Sequence, residues 1–490
     1  MEITDLTPAE RRVRDAFPLG ERVDFCEGPD EDASEGAGWG PERTVRAEVL
    51  TALLLNGSSA NGQVAGLNVR GARITGKLNL KYAVVDHAIR LRGCWFERKP
   101  LVYGAKLRAL VLSDSALPGL TGATVAVDVV LRLSCCRITG PVRLAGARIA
   151  GGLFLTRAVI GTPGAAESEE PPLQFNHADI GTDVIAPGLT VHGQTRINGA
   201  TVGGQINLDD ARLLAPGGTA LHAETLTLGT DLRAMRLEAR GRVNLTGSRI
   251  PGQLNLAYAR LVNPGGVALR ASSCVAGEVW LRSCPTVQGG VNLRRSTFDL
   301  LHVPPSTWPA QIRIDGLTYR TLAPHLPAEQ RLPALEREES GYLPYAYEQL
   351  AAAYRTVGDE AGARTVQLAK LRRHRRTLPR HARLWGLLQD ATVGYGFRPL
   401  RAAGWLLALL ITGTVAYWFH HPRPLKVGES PEFNPVFYTI DLMLPIIGFG
   451  QEEAFAPDGW YQWLSYLLIV TGWVLATTTA AGVSRSLQRQ

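Results

Sequence analysis

The chain has 490 residues, 45% of them hydrophobic, and a formal net charge of +8 at pH 7. This length is sufficient for two or three domains. The basic excess is clustered directly before the first long apolar run, which favours anionic lipid over nucleic acid as its partner. The basic cluster consists of Lys370, Arg372, Arg373, Arg375, Arg376, Arg380 and Arg383.

The six cysteines have no CxxC pair and no regular spacing for metal ligands. This pattern indicates neither a zinc site nor a thioredoxin-like redox motif, and we predict no metal and no cofactor. The neighbours Cys135 and Cys136 could form a vicinal disulfide, but buried, reduced thiols of a cytosolic protein are the preferred interpretation.

The N-terminal region, residues 1–66, is expected to be a helical cap. It lacks the basic and apolar segments of a secretory signal, so we expect the N-terminal part to stay in the cytoplasm. Thr7, Pro8 and Glu10 have the pattern of a helix start. A second helix is predicted from Thr44 to Leu55, ending before Asn56-Gly57.

A short unit repeats from about Leu67 to about Phe298. Residues 71–80 (GARITGKLNL) recur as 146–155 (GARIAGGLFL) and 247–256 (GSRIPGQLNL), with partial copies at 204–208, 241–245 and 290–293. Adjacent copies, such as those with Leu144 and Leu155, are about 11 residues apart, so two units are expected for each full turn.

The repeat predicts stacked short strands. Alternating Leu-x-Leu places two apolar side chains on one face of a strand, and Gly permits the corner that follows. One unit cannot bury its own face, so the units must stack, in roughly ten or eleven turns of about 4.8 Å each. Residues 67–322 thus resemble the right-handed parallel β-solenoids of pentapeptide-repeat and bactofilin-like proteins. The outward arginines, either a ligand surface or a solvated face, are Arg73, Arg148, Arg249 and Arg260.

The region after the solenoid begins with a linker at 323–343, which is rich in proline. A helical hairpin and the basic juxtamembrane segment follow at 344–399, with Gly358-Asp359 between the two helices. The hairpin is similar to a single tetratricopeptide unit. Because such units normally occur in arrays of three or more, a structural adaptor is favoured over a peptide-binding groove.

Two transmembrane helices are predicted within 400–490, from Leu400 to Phe419 and from Trp460 to Val483. The first run is 20 residues long and would span about 30 Å, the thickness of a bilayer core. Basic residues flank the outer sides of this pair, and acids dominate the intervening loop at 420–459. The positive-inside rule therefore predicts a multi-pass cell-membrane protein with both termini in the cytoplasm.

The loop contains the sharpest functional signal, an apolar segment from Asn434 to Pro445 followed by Gly-aromatic-Gly. This pattern predicts either a re-entrant pore loop or an interfacial amphipathic helix with a plain turn. Gly472 in the second span could be a gating hinge or a close-packing contact. The candidate pore and filter residues are Asp441, Ile446, Ile447, Gly448, Phe449, Gly450 and Gln451.

A potassium-channel filter sequence, TVGYG, is matched in full at 392–396, but it precedes the first span. Because a filter must lie between the two spans, we interpret this match as accidental. The weaker match at 446–450 is in the right place. It lacks the usual Thr, replaced by Ile446, and the usual Asp, replaced by Gln451, which puts potassium selectivity in doubt.

Three functions are considered, and no catalytic residue is proposed. The first is an oligomeric pore-loop cation channel, similar in layout to two-span potassium channels, tetrameric if it forms a pore. The second is a membrane-anchored solenoid scaffold for a cytoplasmic protein partner. The layout also resembles a bacterial group often labelled membrane-associated oxidoreductase. That label has no support in the residues, since no dinucleotide-binding, haem or iron-sulfur motif is present.

Overall fold

The computed structural model describes residues 5–28, 31–59, 62–164, 170–379, 383, 399–426, 431–444 and 448–487. Within the helices Pro399–Phe419 and Trp460–Leu487, side chains are described for 401, 403–419 and 460–475. The chain divides into two compact units, Met1–Asp359 and Glu360–Gln490.

The first unit is mainly a parallel β-solenoid of about 12 turns over residues 66–323, slightly more turns than predicted. Its strands, in chain order, are β1 (Val23–Asp24), β2 (Thr44–Arg46), β3 (Gly66–Arg70), β4 (Arg73–Thr75), β5 (Val84–Arg92), β6 (Trp95–Phe96), β7 (Lys106–Val111), β8 (Ala116–Leu117), β9 (Leu120–Thr121), β10 (Ala126–Val127), β11 (Val130–Arg132), β12 (Arg137–Ile138), β13 (Val142–Arg143), β14 (Arg148–Ile149), β15 (Gly152–Phe154), β16 (Val159–Ile160), β17 (Leu173–Gln174), β18 (Asp179–Ile180), β19 (Val184–Ile185), β20 (Thr190–His192), β21 (Thr195–Arg196), β22 (Thr201–Val202), β23 (Ile206–Asn207), β24 (Arg212–His222), β25 (Thr227–Leu228), β26 (Leu232–Arg233), β27 (Glu238–Asn244), β28 (Arg249–Asn255), β29 (Arg260–Arg270), β30 (Val275–Trp280), β31 (Gln288–Asn292), β32 (Thr297–His302), β33 (Ile312–Arg313) and β34 (Thr318–Ala323).

These strands form two parallel sheets in the described residues. The first sheet contains β1, β3, β5, β7, β10, β11, β14, β15, β18, β19, β22, β23, β25, β26, β28, β30, β32 and β34, and the second contains the other sixteen. Ala126 pairs with Arg148 and Leu131 with Leu153, so this full turn takes 22 residues, and other turns take from 20 to 31. The 11-residue repeat is therefore half a turn, as predicted.

The repeat motif corresponds to a fixed pattern of burial. In residues 146–149, Gly146 forms the corner with a φ of +64°, Ala147 and Ile149 are buried, and Arg148 points outwards. Leu153, on β15 of the same sheet, and Leu155 are buried in the core as well. This alternation gives each short strand one apolar face, which only stacking can bury.

Glycine occupies some of the corners, and non-glycine residues occupy others. Cys135, Arg157 and His177 all have positive φ angles at equivalent corners. The backbone N–H of Cys135 donates to the carbonyl of Thr156 in the next turn at 2.8 Å. Because each corner is hydrogen-bonded to the next, the stack offsets the strain of a left-handed non-glycine residue.

Four cysteines of the solenoid, Cys94, Cys136, Cys274 and Cys284, occupy the small buried position that follows a corner. All six thiols are free, and four of them are buried. The Cys136 thiol lies 2.8 Å from the carbonyl oxygen of Leu112, and Ser248 makes the equivalent contact with Ala223. Burial raises the pKa of the Cys136 thiol to about 12, so this side chain is a structural, unreactive thiol.

Two helices, α1 (Pro8–Ala16) and α2 (Ala47–Asn56), belong to the N-terminal end of the solenoid. Thr7 and Glu10 form the predicted capping box. The predicted second helix begins three residues late, because Thr44–Arg46 instead extends the second sheet as β2. The fully buried Glu10 carboxylate accepts hydrogen bonds from the Arg46 side chain at 2.7 Å, which fixes α1 against this strand.

Two helices, α3 (Ala328–Leu335) and α4 (Pro344–Thr356), follow the last strand. Arg331 is buried and donates to the carbonyl of Val303 at 3.0 Å, and Arg337 donates to that of Trp308 at 2.8 Å. Gln349 of α4 donates to the carbonyl of Tyr319 at 2.6 Å. These side chains satisfy backbone groups that an open end of the sheet would otherwise expose.

The second unit is helical. Its helices are α5 (Glu360–Thr377), the first apolar helix (Pro399–Phe419), the loop helix (Pro435–Met443), a short turn of helix (Gln451–Ala454) and the second apolar helix (Trp460–Leu487). Arg423–Pro424 and Phe455–Ala456 form a two-stranded antiparallel pair, β35 and β36, within the loop. Lys370 to Arg376 of the predicted basic cluster lie on α5, whereas Arg380 lies outside the described residues.

Candidate functional site

The candidate site is the segment between the two apolar helices, built on the loop helix. The Asn434 side chain accepts hydrogen bonds from the backbone N–H groups of Val436 and Phe437, at 3.0 and 3.4 Å. Pro435 occupies the first helical position, where a missing N–H has no consequence. The Asn-Pro pair therefore fixes where this helix starts.

The loop helix packs closely against both apolar helices. A Cβ atom on Gly413 of the first apolar helix would lie 2.4 Å from Thr439, and one on Gly472 of the second would lie 2.5 Å from the Met443 carbonyl oxygen. Tyr438 meets Tyr417 edge to face at 4.9 Å. Of the two roles predicted for Gly472, the structure provides direct geometry for close packing, and the second apolar helix is continuous through it.

Asp441 is the anchor of the returning loop. Its side chain is only 4% exposed. The carboxylate accepts hydrogen bonds from the backbone N–H groups of Phe449 at 2.6 Å, Gln451 at 2.8 Å and Glu452 at 3.3 Å. Three donors satisfy most of the acceptor capacity of a buried carboxylate. Within one chain, the role of Asp441 is therefore to position the returning loop.

This anchoring also determines where the neighbouring carbonyl groups point. In a trans peptide unit the N–H and C=O bonds have opposite directions, and in the described residues the only cis peptide bond lies at Ala323-Pro324. Since the N–H groups of Phe449 and Gln451 point at Asp441, the carbonyls of Gly448 and Gly450 point away from it. Residues 448–450 are exposed.

Gln451 closes the loop at its other end. Its side-chain oxygen accepts a hydrogen bond from the backbone N–H of Asn434 at 3.1 Å, and its amide nitrogen donates to the Glu432 carbonyl at 3.1 Å. Gln451 is 7% exposed. An Asp at this position could accept the first hydrogen bond but could not donate the second, which explains why Gln is suited to it.

Glu452 follows directly, and its side chain is exposed but partly desolvated. Burial, reinforced by the nearby carboxylates of Asp441 and Glu453, raises the pKa of Glu452. Three carboxylates thus lie within one short segment. Among the described residues, however, no group of three or more His, Cys, Asp or Glu side chains has an arrangement suited to a metal ion.

The apolar helices expose many large apolar side chains, and Trp418, Phe419, Trp460 and Trp463 are each at least 65% exposed. The others on these two helices are Trp405, Leu407, Ile411, Val415, Tyr466, Leu467, Val470, Trp473 and Val474. Within the part of the chain that the structure describes, no helix combines the length and the apolar character required to cross a membrane.

Two of the predicted filter residues, Ile446 and Ile447, lie outside the described residues, as does the TVGYG match at 392–396. The structure brings Asp441, Phe449 and Gln451 together, because the Asp441 carboxylate accepts hydrogen bonds from the backbone N–H groups of the other two. Sequence analysis missed the positioning role of Asp441. The signal available in the sequence was an acid within an apolar segment, eight to ten residues before a glycine-rich turn and its end.

In comparison with known proteins, the chain matches no family model, no curated protein and no solved structure. The class defined by its own fold is a β-solenoid protein with a C-terminal helical unit.

Proposed function

We propose that the protein is an oligomeric membrane protein in which the loop helix and residues 448–451 form a re-entrant element of a cation path. The exposed apolar side chains of the two apolar helices support the membrane part, since patches of this extent are normally covered by lipid or by a partner. The apolar runs in the sequence, from Leu400 to Phe419 and from Trp460 to Val483, give the same indication.

The observation that carries the re-entrant element is the depth at which the loop helix packs. Gly472 follows Trp460 by about 18 Å of helix, and Gly413 precedes Phe419 by about 9 Å, at 1.5 Å per residue. If these aromatic residues mark the outer interface, Thr439 lies about 9 Å deep and Met443 about 18 Å deep in a core about 30 Å thick. An interfacial helix would stay within about 5–10 Å of the surface.

The role of Asp441 supports a path lined by backbone carbonyls. Its carboxylate already accepts three backbone N–H groups, so it is suited to holding the loop while Gly448 and Gly450 direct their carbonyl oxygens outwards. Carbonyl oxygens arranged around a shared axis can replace the hydration shell of a cation. Such an axis requires several copies of the chain, and a tetramer is the expected assembly.

The second candidate is a membrane-anchored scaffold, and the closure of the loop within one chain favours it. Gln451 and Asp441 satisfy the loop internally, so no partner subunit is needed to stabilise it. In this case the two apolar helices would only hold the solenoid, whose uniform outer faces suit a protein partner at the cytoplasmic side.

The test is cation flux through liposomes that contain the full-length protein, together with its oligomeric state in detergent. We expect a tetramer that conducts monovalent cations, and an Asp441→Asn variant with at least about ten-fold lower flux, because misdirected carbonyls remove the path. Glu453→Gln is the matched control, since it removes the same charge from an exposed neighbour. A folded monomer, or a tetramer without flux, would refute the pore and leave the scaffold.

A further inference from the structure

A ladder of polar side chains runs along the outer face of the second sheet. The strand register aligns eight positions on consecutive turns, and the residue before each of them points into the core. The eight residues are Arg143, Gln174, Arg196, His222, Asn244, Arg270, Asn292 and Arg313. With about 4.8 Å per rung, the ladder extends over about 34 Å.

Buried polar atoms without a hydrogen-bond partner in the protein concentrate along this ladder. Of the ten such atoms in the described residues, seven belong to ladder residues or to residues two positions away. They are Nε of Arg143, Arg196, Arg242, Arg270 and Arg294, and Oδ1 of Asn176 and Asn198. The Nε–H groups of these arginines are shielded from solvent. Each guanidinium must therefore make its hydrogen bonds through the two terminal nitrogens.

The central arginines have no acidic partner. Arg143, Arg294 and Arg313, towards the two ends, form ion pairs with Glu170, Asp315 and Glu339. Within the described residues, no ion pair reaches Arg196, Arg242 or Arg270, and the Arg196 guanidinium bonds only to Gln194 at 3.0 Å. We call these three residues the arginine face. Their terminal nitrogens are donors available for an external anion.

The spacing of the arginine face suits an extended polypeptide. Arg196 and Arg270 are three rungs apart, or about 14 Å. In an extended peptide, two side chains on the same side and four residues apart are separated by about 13–14 Å. Two such carboxylates would reach Arg196 and Arg270 together, while Arg242 lies between them beside Asn244.

We propose that the arginine face binds an acidic polypeptide segment that lies extended along the solenoid axis, with carboxylates at positions i and i+4. His222, Asn244 and Asn292 lie between and beside the arginines and offer hydrogen bonds to a peptide backbone. The ladder contains no Trp, Tyr or Phe on which bases could stack, which disfavours a single-stranded nucleic acid. This proposal is independent of whether the helical unit forms a pore.

Fluorescence anisotropy with the full-length protein in a neutral detergent tests the proposal. The probe is a labelled peptide containing Glu-Thr-Thr-Thr-Glu, compared with Glu-Thr-Thr-Glu, in which the two acids point to opposite sides of an extended chain. We expect the first peptide to bind about five-fold more tightly. Arg242→Gln/Arg270→Gln should weaken its binding about ten-fold, as expected when charge-assisted hydrogen bonds are lost.

The control is Arg148→Gln/Arg249→Gln, which removes two exposed arginines from the first sheet. It should change binding by less than about two-fold, and the basic run on α5 is the same in every variant. Equal losses in both double variants would show non-specific attraction and overturn the proposal. Tighter binding of an oligonucleotide of equal charge would also overturn it. An Arg242→Lys/Arg270→Lys variant, which keeps the charge, should recover part of the affinity and shows that a loss is not due to misfolding.

Discussion

The solenoid is built on contacts that recur in successive turns, whereas the C-terminal helical unit is built on contacts that occur once. In the solenoid the same contacts recur in the next turn, so that Ile149, Ile180 and Val202, which are 31 and 22 residues apart, are all buried at one position in successive turns. In the helical unit each contact occurs once, as with Gly472 against Met443 and Asp441 against the returning loop. The contacts of the solenoid are therefore repeated in many turns, whereas each contact of the helical unit depends on single residues.

The comparison also explains why the two regions tolerate different residues. At solenoid corners, Gly146, Cys135 and Arg157 are interchangeable because the hydrogen bonds of the stack fix the backbone. In the loop, Asp441 and Gln451 each make contacts that their nearest chemical relatives could reproduce only in part. We therefore expect conservative substitutions to have small effects on stability in the solenoid and large effects in the loop. The exceptions in the solenoid are positions where two turns are too close to admit a larger side chain.

The largest expected effect is at such a tight point in the solenoid. A Cβ atom on Gly229 would lie 1.8 Å from the carbonyl oxygen of Gly203 in the preceding turn. Gly229→Ala must therefore separate two turns, and we expect a loss of about 3 kcal/mol or more in the free energy of unfolding. Chemical denaturation measures this loss. Gly38→Ala, which meets nothing within 4 Å, is the control and should be close to neutral.

In the helical unit, Gly472→Val should separate the loop helix from the second apolar helix, because the Met443 backbone already fills the space that a side chain needs. We expect a loss of about 2–3 kcal/mol, typical of overpacking a close contact. Thermal unfolding in detergent and limited proteolysis of the loop measure it. Gly404→Ala has open space and should behave like the wild type. Equal stability of both variants would contradict the packing described for the loop helix.

Asp441→Asn should loosen the loop without unfolding the helical unit. The amide has one acceptor oxygen in place of two and brings a donor towards three N–H groups, a change worth about 2 kcal/mol. Hydrogen exchange at the amides of Phe449, Gln451 and Glu452 should become faster, whereas exchange in α5 should not change. Slow exchange at all three amides in the variant would argue against the anchor.

Lowering the pH should remove the stabilising contribution of the Glu10–Arg46 ion pair at the N-terminal end of the solenoid. Burial alone would raise the pKa of Glu10, but hydrogen bonds from Arg46 and from the backbone outweigh it and lower the pKa to about 2. The ionised form thus stabilises the fold above pH 4.5 and loses this contribution as the pH falls towards 2. Glu10→Gln should reduce stability by about 1.5 kcal/mol at pH 7 and converge with the wild type near pH 2.

The smallest expected effect tests the redundancy of the solenoid. Ser115 and Ser248 occupy positions equivalent to Cys136, and each donates to a carbonyl of the previous turn. Cys136→Ser should therefore change the free energy of unfolding by less than about 1 kcal/mol. Cys136→Val, which keeps the size but removes the donor and adds a branch, should be the more destabilising of the two. The opposite order in denaturant titrations would show that packing volume alone matters there.

Much of the fold can be predicted from the sequence, because the patterns that specify it are short and many of them repeat along the chain. The Leu-x-Leu alternation, the 11-residue unit and the capping box at Thr7 are each read within about a dozen residues, and the structure confirms all three. The start of α2 was predicted three residues early, since pairing of Thr44–Arg46 with β4 outweighs the helical pattern. Glycine permits a corner, as predicted, but non-glycine residues also occupy corners, because contacts between turns outweigh local propensity.

The sequence by itself determined the solenoid and the start of the loop helix at Asn434-Pro435, because capping and periodicity act over short distances along the chain. Only the tertiary structure decided what Asp441 and Gln451 do there, which is to hold a returning loop through backbone hydrogen bonds. It alone also aligned Arg196, Arg242 and Arg270 on one face. These arrangements depend on residues from different turns or helices, and their distances follow from strand register and close packing rather than from sequence spacing.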